Sequence, residues 1–346
     1  MAWNWQISGW PEFRYDEAAL APLEQRFLLF SGEILRAVHH VNPSERDQLR
    51  IDLLSDEAMK TSAIEGEILD RRSVQSSLRR HLGLEPDSYP NKPREQGVAE
   101  MMVDVYSTYA EPLAHGTLFR WHEMLLAFDK RLEAIGSYRQ QEDAMQIVSG
   151  RFDRPVVHFE APPSAQVPEE MDRYVDWFSR TEPGAEERLP ALTRAGLSHL
   201  YFESIHPFED GNSRLSRALA EKSLAQSIGR PSLIALAFTL EQKRKDYYDQ
   251  LRATPEDAGC HALASMVCRD RSKSAAGHPG PRGLLYCQGT FLRPIPRQAK
   301  RPAGQGDRAD VPRRPGWLQG WSERRELYLD FWYIARNRYE GSTRTC

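Results

Sequence analysis

Cysteine is missing from the first 259 of the 346 residues, and the four that follow (Cys260, Cys268, Cys287 and Cys346) have no CxxC or other metal-ligand spacing. That usage excludes a disulfide framework and a zinc site, and a reducing cytoplasm is the expected compartment. Long apolar runs are missing too. No stretch of 18 or more exists, and the opening MAWNWQISGWPEF has no basic start leading into an apolar run. Neither a membrane span nor a secretory signal is expected. Net charge is small, with 46 Lys+Arg against 49 Asp+Glu for a formal −3, while apolar residues make up 40%. This apolar fraction excludes a disordered chain and suffices for one large or two modest cores.

The small net charge conceals a split. Residues 1–268 hold 30 basic and 42 acidic residues, whereas 269–346 hold 16 and 7, along with 16 Gly and Pro in 78 positions. Between 16 and 255 apolar residues return every three or four positions. The expected helices are 16–40, 43–66, 71–82, 93–110, 116–128, 168–181, 189–205, 212–228 and 232–252. Met145 to Pro163 differs: Ile147 and Val148, then Val156, Val157 and Phe159, flank the turn-like Ser149 to Arg154, which predicts a short β-hairpin in a helical protein. No internal repeat is present.

The informative run is His206-Pro207-Phe208-Glu209-Asp210-Gly211-Asn212-Ser213-Arg214-Leu215-Ser216-Arg217, lying between the end of one apolar helix and the start of another. A Gly-containing loop leading into a helix N-terminus presents free backbone N–H groups and the positive dipole end, a ready anion site. Arg214 and Arg217, three apart, share a helix face beside it, and two guanidinium forks next to an amide nest suit a polyphosphate. Asp210 could hold a divalent cation bridging phosphate oxygens, and His206, titrating near neutrality, could take a proton from an attacking hydroxyl. Together these are the parts of a phosphoryl- or nucleotidyl-transfer site.

These residues resemble the Fic-family signature H-P-F-x-D/E-G-N-G-R-x-x-R, whose members mostly move AMP from ATP to a Ser, Thr or Tyr hydroxyl of a protein. The resemblance implies an all-α fold with a Fic-type helical core, a short β-hairpin flap and a helical N-terminal domain. It makes His206 the general base and Asp210 the Mg²⁺ ligand. Phe208, Glu209, Gly211, Asn212, Ser213, Arg214 and Arg217 become the ATP-contacting set, in which Phe208 seats the loop, Asn212 meets the α-phosphate and the two arginines hold the β- and γ-phosphates. Ser213 departs from the family glycine. If that position needs φ > 0, serine strains the nest; if it is already helical, serine is acceptable, and the second case is preferred.

Two further features resemble the family. The hairpin corresponds to a flap that docks a target segment by strand addition, carried here by Val148, Ser149, Gly150, Val156, Val157, His158 and Phe159. In the expected helix 43–66, Thr61 and Glu65 share a face ahead of Gly66, which resembles the inhibitory motif S/T-x-x-x-E-G/N. There the glutamate pairs with the second arginine of the signature, here Arg217, and displaces the γ-phosphate. Gly136-Ser137-Tyr138-Arg139 and the helix LFRWHEMLL also look like the family core. Trp3, Trp5, Trp10 and Phe13 are read as an aromatic staple closing the N-terminus onto the bundle. His39, His40, His81, His122 and His199 lack ligand spacing to one another and are read as packed or surface residues.

The expected organisation is a helical N-terminal domain over 1–92 with an inhibitory helix, a catalytic core over 93–258 and a basic Pro/Gly-rich tail over 259–346. Basic charge with Trp317, Trp321 and Trp332 suggests nucleic-acid binding, but the tail reads better as frame-shifted text in which neighbouring frames restore helical sequence, so that binding is not expected. The expected activity is autoinhibited protein adenylylation with ATP and Mg²⁺ on an unidentified target or on itself, with a homodimer allowed. Hydrolytic removal of AMP and a nucleotide-binding regulator or toxin–antitoxin partner with impaired catalysis are the competitors.

Overall fold

The computed structural model describes residues 3–248 apart from 86–87, 152–153, 232–235, 243 and 246. The tail 259–346, its proposed frame shift and both ends of the expected helix 232–252 lie outside the described residues. Within them the protein is helical: α1 Glu17–His39, α2 Pro43–Ile64, α3 Arg71–His81, α4 Pro93–Ser107, α5 His115–Leu126, α6 Val167–Arg180, α7 Ala191–Ile205, α8 Asn212–Ile228 and α9 Leu236–Gln242. The sequence expectation of an all-α fold with one hairpin holds.

Local chemistry sets the helix ends. Asn42 caps α2, its Oδ1 accepting from Glu45 N at 2.9 Å, with Pro43 as first helical residue. Asp70 caps α3 in the same way, accepting from Arg72 N at 3.0 Å. Gly229, with φ 70°, ends α8 in the left-handed conformation that glycine adopts without strain. Helix α7 is buried on nearly every face and packs along α8, so the connection between them, residues 206–211, is held from both sides.

One core joins Leu54, Ala58, Val74 and Leu78 of α2 and α3 to Val98 and Met101 of α4, Trp121 and Leu125 of α5, Tyr174 of α6, Phe202 of α7 and Leu215 and Leu219 of α8. It runs without a break across the boundary expected near residue 92. A second core gathers Leu20 and Phe27 of α1, Ile64, Leu192, Leu224, Leu236 and Leu240. The N-terminal aromatics pack as a staple. Trp10 and Phe13 meet Tyr201 edge-on at 5.0 and 5.4 Å between ring centroids, and the Trp5 and Trp10 indoles donate to Glu160 O at 2.7 Å and Glu170 Oε2 at 2.8 Å.

Helices α4 and α5 approach closely at Gly97, where a Cβ would lie 1.8 Å from the Met124 carbonyl oxygen. Gly97→Ala must therefore push α5 away and is expected to cost about 3 kcal/mol, read as a lowered Tm with retained helical circular dichroism. An unchanged Tm would contradict the close crossing.

The hairpin groups apart from this helical body and is described by itself. Strand β1 Gln146–Arg151 pairs with β2 Arg154–Glu160 as a two-stranded sheet. Its strands take in Ser149, Gly150 and Arg154, expected from the sequence in the turn-like stretch. Val156 and Val157 are exposed, whereas His158 and Phe159 are partly covered.

Candidate active site

The loop that joins α7 to α8 begins with an unusual backbone. His206 has φ 51° and ψ 59°, the single left-handed non-glycine among the described residues. A β-carbon is disfavoured there by about 1 kcal/mol, so the surroundings must impose the turn. Arg139 supplies much of that constraint. It is 1% exposed, and its guanidinium donates to His206 O at 2.8 Å, Pro162 O at 2.5 Å and Ser164 Oγ at 2.8 Å, while its backbone N–H donates to Pro207 O at 2.9 Å. Burial pulls its pKa down to about 10, still high enough for a full charge at pH 7.

His122 of α5 is a second brace. Gly136 N–H donates to its Nδ1 at 3.1 Å, which leaves the proton on Nε2, and Nε2 donates to Asp210 O at 3.2 Å. Burial lowers its pKa to about 4, so it stays in this neutral tautomer. Its ring stacks on Phe208 at 4.2 Å with a 12° interplanar angle. Phe208 itself is fully buried. With no exposed surface, the ring seats the loop in the core. Glu209 likewise turns to the neighbouring loop, accepting from Glu133 N at 3.0 Å.

At the helix start, Gly211 has φ 79°, and Asn212 is the first residue of α8. Asn212 closes the loop on itself: its Oδ1 accepts from Phe208 N at 2.9 Å and its Nδ2 donates to Phe208 O at 2.8 Å. These two bonds use one of the two Nδ2 hydrogens, and the second remains able to donate to a phosphate oxygen. Ser213 is inside the helix and is not among the positive-φ residues. The second of its two alternatives therefore holds, and serine introduces no backbone strain.

The catalytic candidates converge at this loop. The His206 side chain is 13% exposed, and burial together with the Arg139 charge lowers its pKa to about 4, so it is neutral at pH 7 and free to accept a proton. Its Nδ1 lies 3.7 Å from Glu203 Oε2, and Glu203 is fixed by Ser216 Oγ at 2.7 Å. Asp210 Oδ1 accepts from Gly211 N at 2.5 Å and faces Arg214 Nη2 at 3.6 Å. Among the described residues no cluster of three metal-ligating side chains exists. One partly exposed carboxylate beside an anion nest nonetheless suits Mg²⁺, which keeps several waters and takes phosphate oxygens for most of its shell.

Arg214 and Arg217 are 2% and 1% exposed at the side chain, and both are held by the turn after α2. Arg217 donates to Thr61 Oγ1 at 2.7 Å, Thr61 O at 3.1 Å and Glu65 Oε1 at 2.8 Å, which are the residues the inhibitory motif implied. Arg214 donates to Glu67 Oε2 at 3.0 Å. Glu67 went unread in the sequence, because the pattern that singled out Glu65 stops at Gly66. So did His122 and Arg139 as loop braces, since neither has spacing to the motif.

Comparisons with known proteins bear on the family and the fold. Residues 112–224, which contain the whole loop and most of α8, match the family model described as Fic/DOC family. This chain carries a Fic domain. Residues 3–84 match a model described as a domain of unknown function, DUF4172, which covers the turn bearing Glu65 and Glu67. Curated relatives include the protein adenylyltransferase Fic of Nematostella vectensis, 26% identical over 195 residues, or 55% of this chain and 41% of that one. A probable protein adenylyltransferase of Aquifex aeolicus is 31% identical over 100 residues, or 29% of this chain and 28% of that one. The chain therefore spans less than half the length of either relative. A solved Fic family protein from Desulfovibrio desulfuricans shares the fold, with a TM-score of 0.52 at 20% identity over 89% of this chain and all of that one. No helix among the described residues is long and apolar enough to cross a membrane.

Proposed function

We propose that this Fic-domain protein is an adenylyltransferase that moves AMP from ATP to a hydroxyl side chain of a protein and is held inactive at rest by Glu65. The observation that carries the reading is the convergence, on one braced loop, of a neutral imidazole, a helix N-terminus and two buried guanidinium groups. His206 takes the proton from the attacking hydroxyl as its oxygen bonds to the α-phosphorus, and the pyrophosphate leaves with the bonding electron pair. The first amides of α8, with Arg214 and Arg217, stabilise the charge that builds on that leaving group. Asp210 would hold Mg²⁺, which supplies charge neutralisation across neighbouring phosphate oxygens. Arg139, His122 and Phe208 act by fixing the loop rather than by touching the reactants, while Asn212 both closes the loop and has an N–H left for the α-phosphate.

The hairpin is the proposed target-docking flap. A two-stranded sheet leaves an outer edge on each strand, and an extended peptide can add to such an edge through backbone hydrogen bonds. The exposed Val156 and Val157 would provide side-chain contacts on that unit.

Autoinhibition follows from Glu65 occupying Arg217, which leaves a γ-phosphate without its cation and lets the triphosphate settle out of line with the hydroxyl. A Glu65→Gly variant is expected to label itself with α-labelled ATP at least tenfold more strongly than the parent. Equal labelling of the two proteins would count against inhibition by this residue. Release of AMP from an AMP-modified protein, with no transfer from ATP by either variant, would instead establish the hydrolytic direction.

A further inference from the structure

Helix α2 ends in a turn whose geometry explains why two carboxylates, not one, reach the arginines. Gly66, at φ 82°, is the left-handed residue. Its N–H donates to Ala63 O at 3.0 Å, and the Glu67 N–H reaches back to Ser62 O at 2.9 Å, the paired bonds of a Schellman cap. The cap reverses the chain around the glycine, so the residues before and after it both lie at the helix end. Glu65 takes Arg217 at 2.8 Å, and Glu67 takes Arg214 at 3.0 Å while its other oxygen lies 4.0 Å from Arg94 Nε.

We propose that Glu67 is a second latch on the nucleotide site, so that the resting protein takes a nucleoside monophosphate and discriminates against the triphosphate until both carboxylates leave. This inference rests on the adenylyltransferase reading of the site. Arg214 and Arg217 are the cations available for the outer phosphates, and each already has a carboxylate partner in a water-poor setting where such pairs are strong. Each nevertheless keeps a nitrogen that is buried and unpartnered among the described residues, Nε of Arg214 and Nη1 of Arg217. Unsatisfied guanidinium nitrogens of this kind are the expected signature of a site built to accept further oxygen acceptors. A monophosphate needs only the α8 amides and avoids both latches. A triphosphate brings its outer charge up against two carboxylates, Glu65 and Glu67. Removing Glu65 alone frees one cation and leaves the other held.

The test is calorimetric titration of the full chain with AMP, ADP and ATP in the presence of Mg²⁺, using the parent, Glu65→Gly, Glu67→Gln and the double variant. Glutamine keeps the size of Glu67 and removes its charge, so a change in selectivity is not a packing effect, and a thermal melt of each protein confirms that it is folded. The parent is expected to bind AMP at least tenfold more tightly than ATP. Each single variant should reduce that ratio by about tenfold or less, and the double variant should reverse it. If Glu67→Gln leaves the ratio where its parent has it while Glu65→Gly alone reverses it, the second latch is wrong and the adenylyltransferase reading stands. If no variant binds any of the three nucleotides, both are wrong.

Discussion

Replacing His206 with alanine in the Glu65→Gly background is expected to lower AMP transfer by about a thousandfold while leaving ATP binding within about threefold of its parent. Separation of the two effects is the informative part. In the proposed function His206 touches the incoming hydroxyl and the phosphates are held by α8 amides and the arginine pair, so the substitution removes the proton acceptor without altering charge around the nucleotide. The residue also adopts a left-handed backbone that does not favour a β-carbon, and alanine there retains the strain without relieving it. Stability should change little. A thermal melt and an ATP titration on the same preparation check this, and loss of binding together with transfer would mean that the imidazole is a structural post instead of a base.

The second large effect is acid sensitivity. His122, His199 and His206 each have a folded-state pKa lowered from 6.5 to about 4, with burial the leading cause in all three. Between those values the unfolded chain binds protons that the folded chain refuses. Stability therefore rises with pH through this window, is fully present above pH 6.5, and falls as pH drops toward 4. At about 1.4 kcal/mol per pH unit for each of the three groups, the loss across the window is on the order of 10 kcal/mol, comparable to the whole stability of many domains. The buried Glu57 opposes the trend, since desolvation and the nearby Glu221 raise its pKa and acid relieves its charge. One group working against three leaves the sign unchanged. Thermal unfolding at pH 7, 6 and 5 should show a progressively lower Tm, with proton uptake on unfolding at pH 5; a flat Tm down to pH 5 would contradict neutral burial of the histidines.

Much of this was legible in the residues and some was not, for identifiable reasons. The helices came from apolar spacing, and their ends fall within a few residues of the expected ones because caps such as Asn42 and Asp70 are local signals. The run from His206 to Arg217 pointed to a loop entering a helix N-terminus, and α8 does begin at Asn212. What a linear reading cannot give is partnership across the chain. The contact between Arg217 and Glu65 spans 152 residues and was reached only through resemblance to a family. The contact between Arg214 and Glu67 spans 147 and was not reached at all. A usable signal existed in the acidic residue directly after a helix-ending glycine, since a Schellman cap returns that position to the helix terminus. Arg139 was quoted within a family-like tetrapeptide but given no role. Its guanidinium is spent on backbone carbonyls, which have no sequence signature. Phe208 and Asn212, both in the motif, are also used by the fold on itself, the ring in the core and the amide on the Phe208 backbone, which motif spacing alone does not tell.

The most direct measurement of the central claim is the intact mass of the Glu65→Gly, Glu67→Gln double variant after incubation with MgATP, beside the same protein carrying His206→Ala. A gain of whole AMP units that disappears with His206→Ala is the predicted result. An unchanged mass in a protein that measurably binds ATP, or a gain that survives loss of the imidazole, would contradict the account.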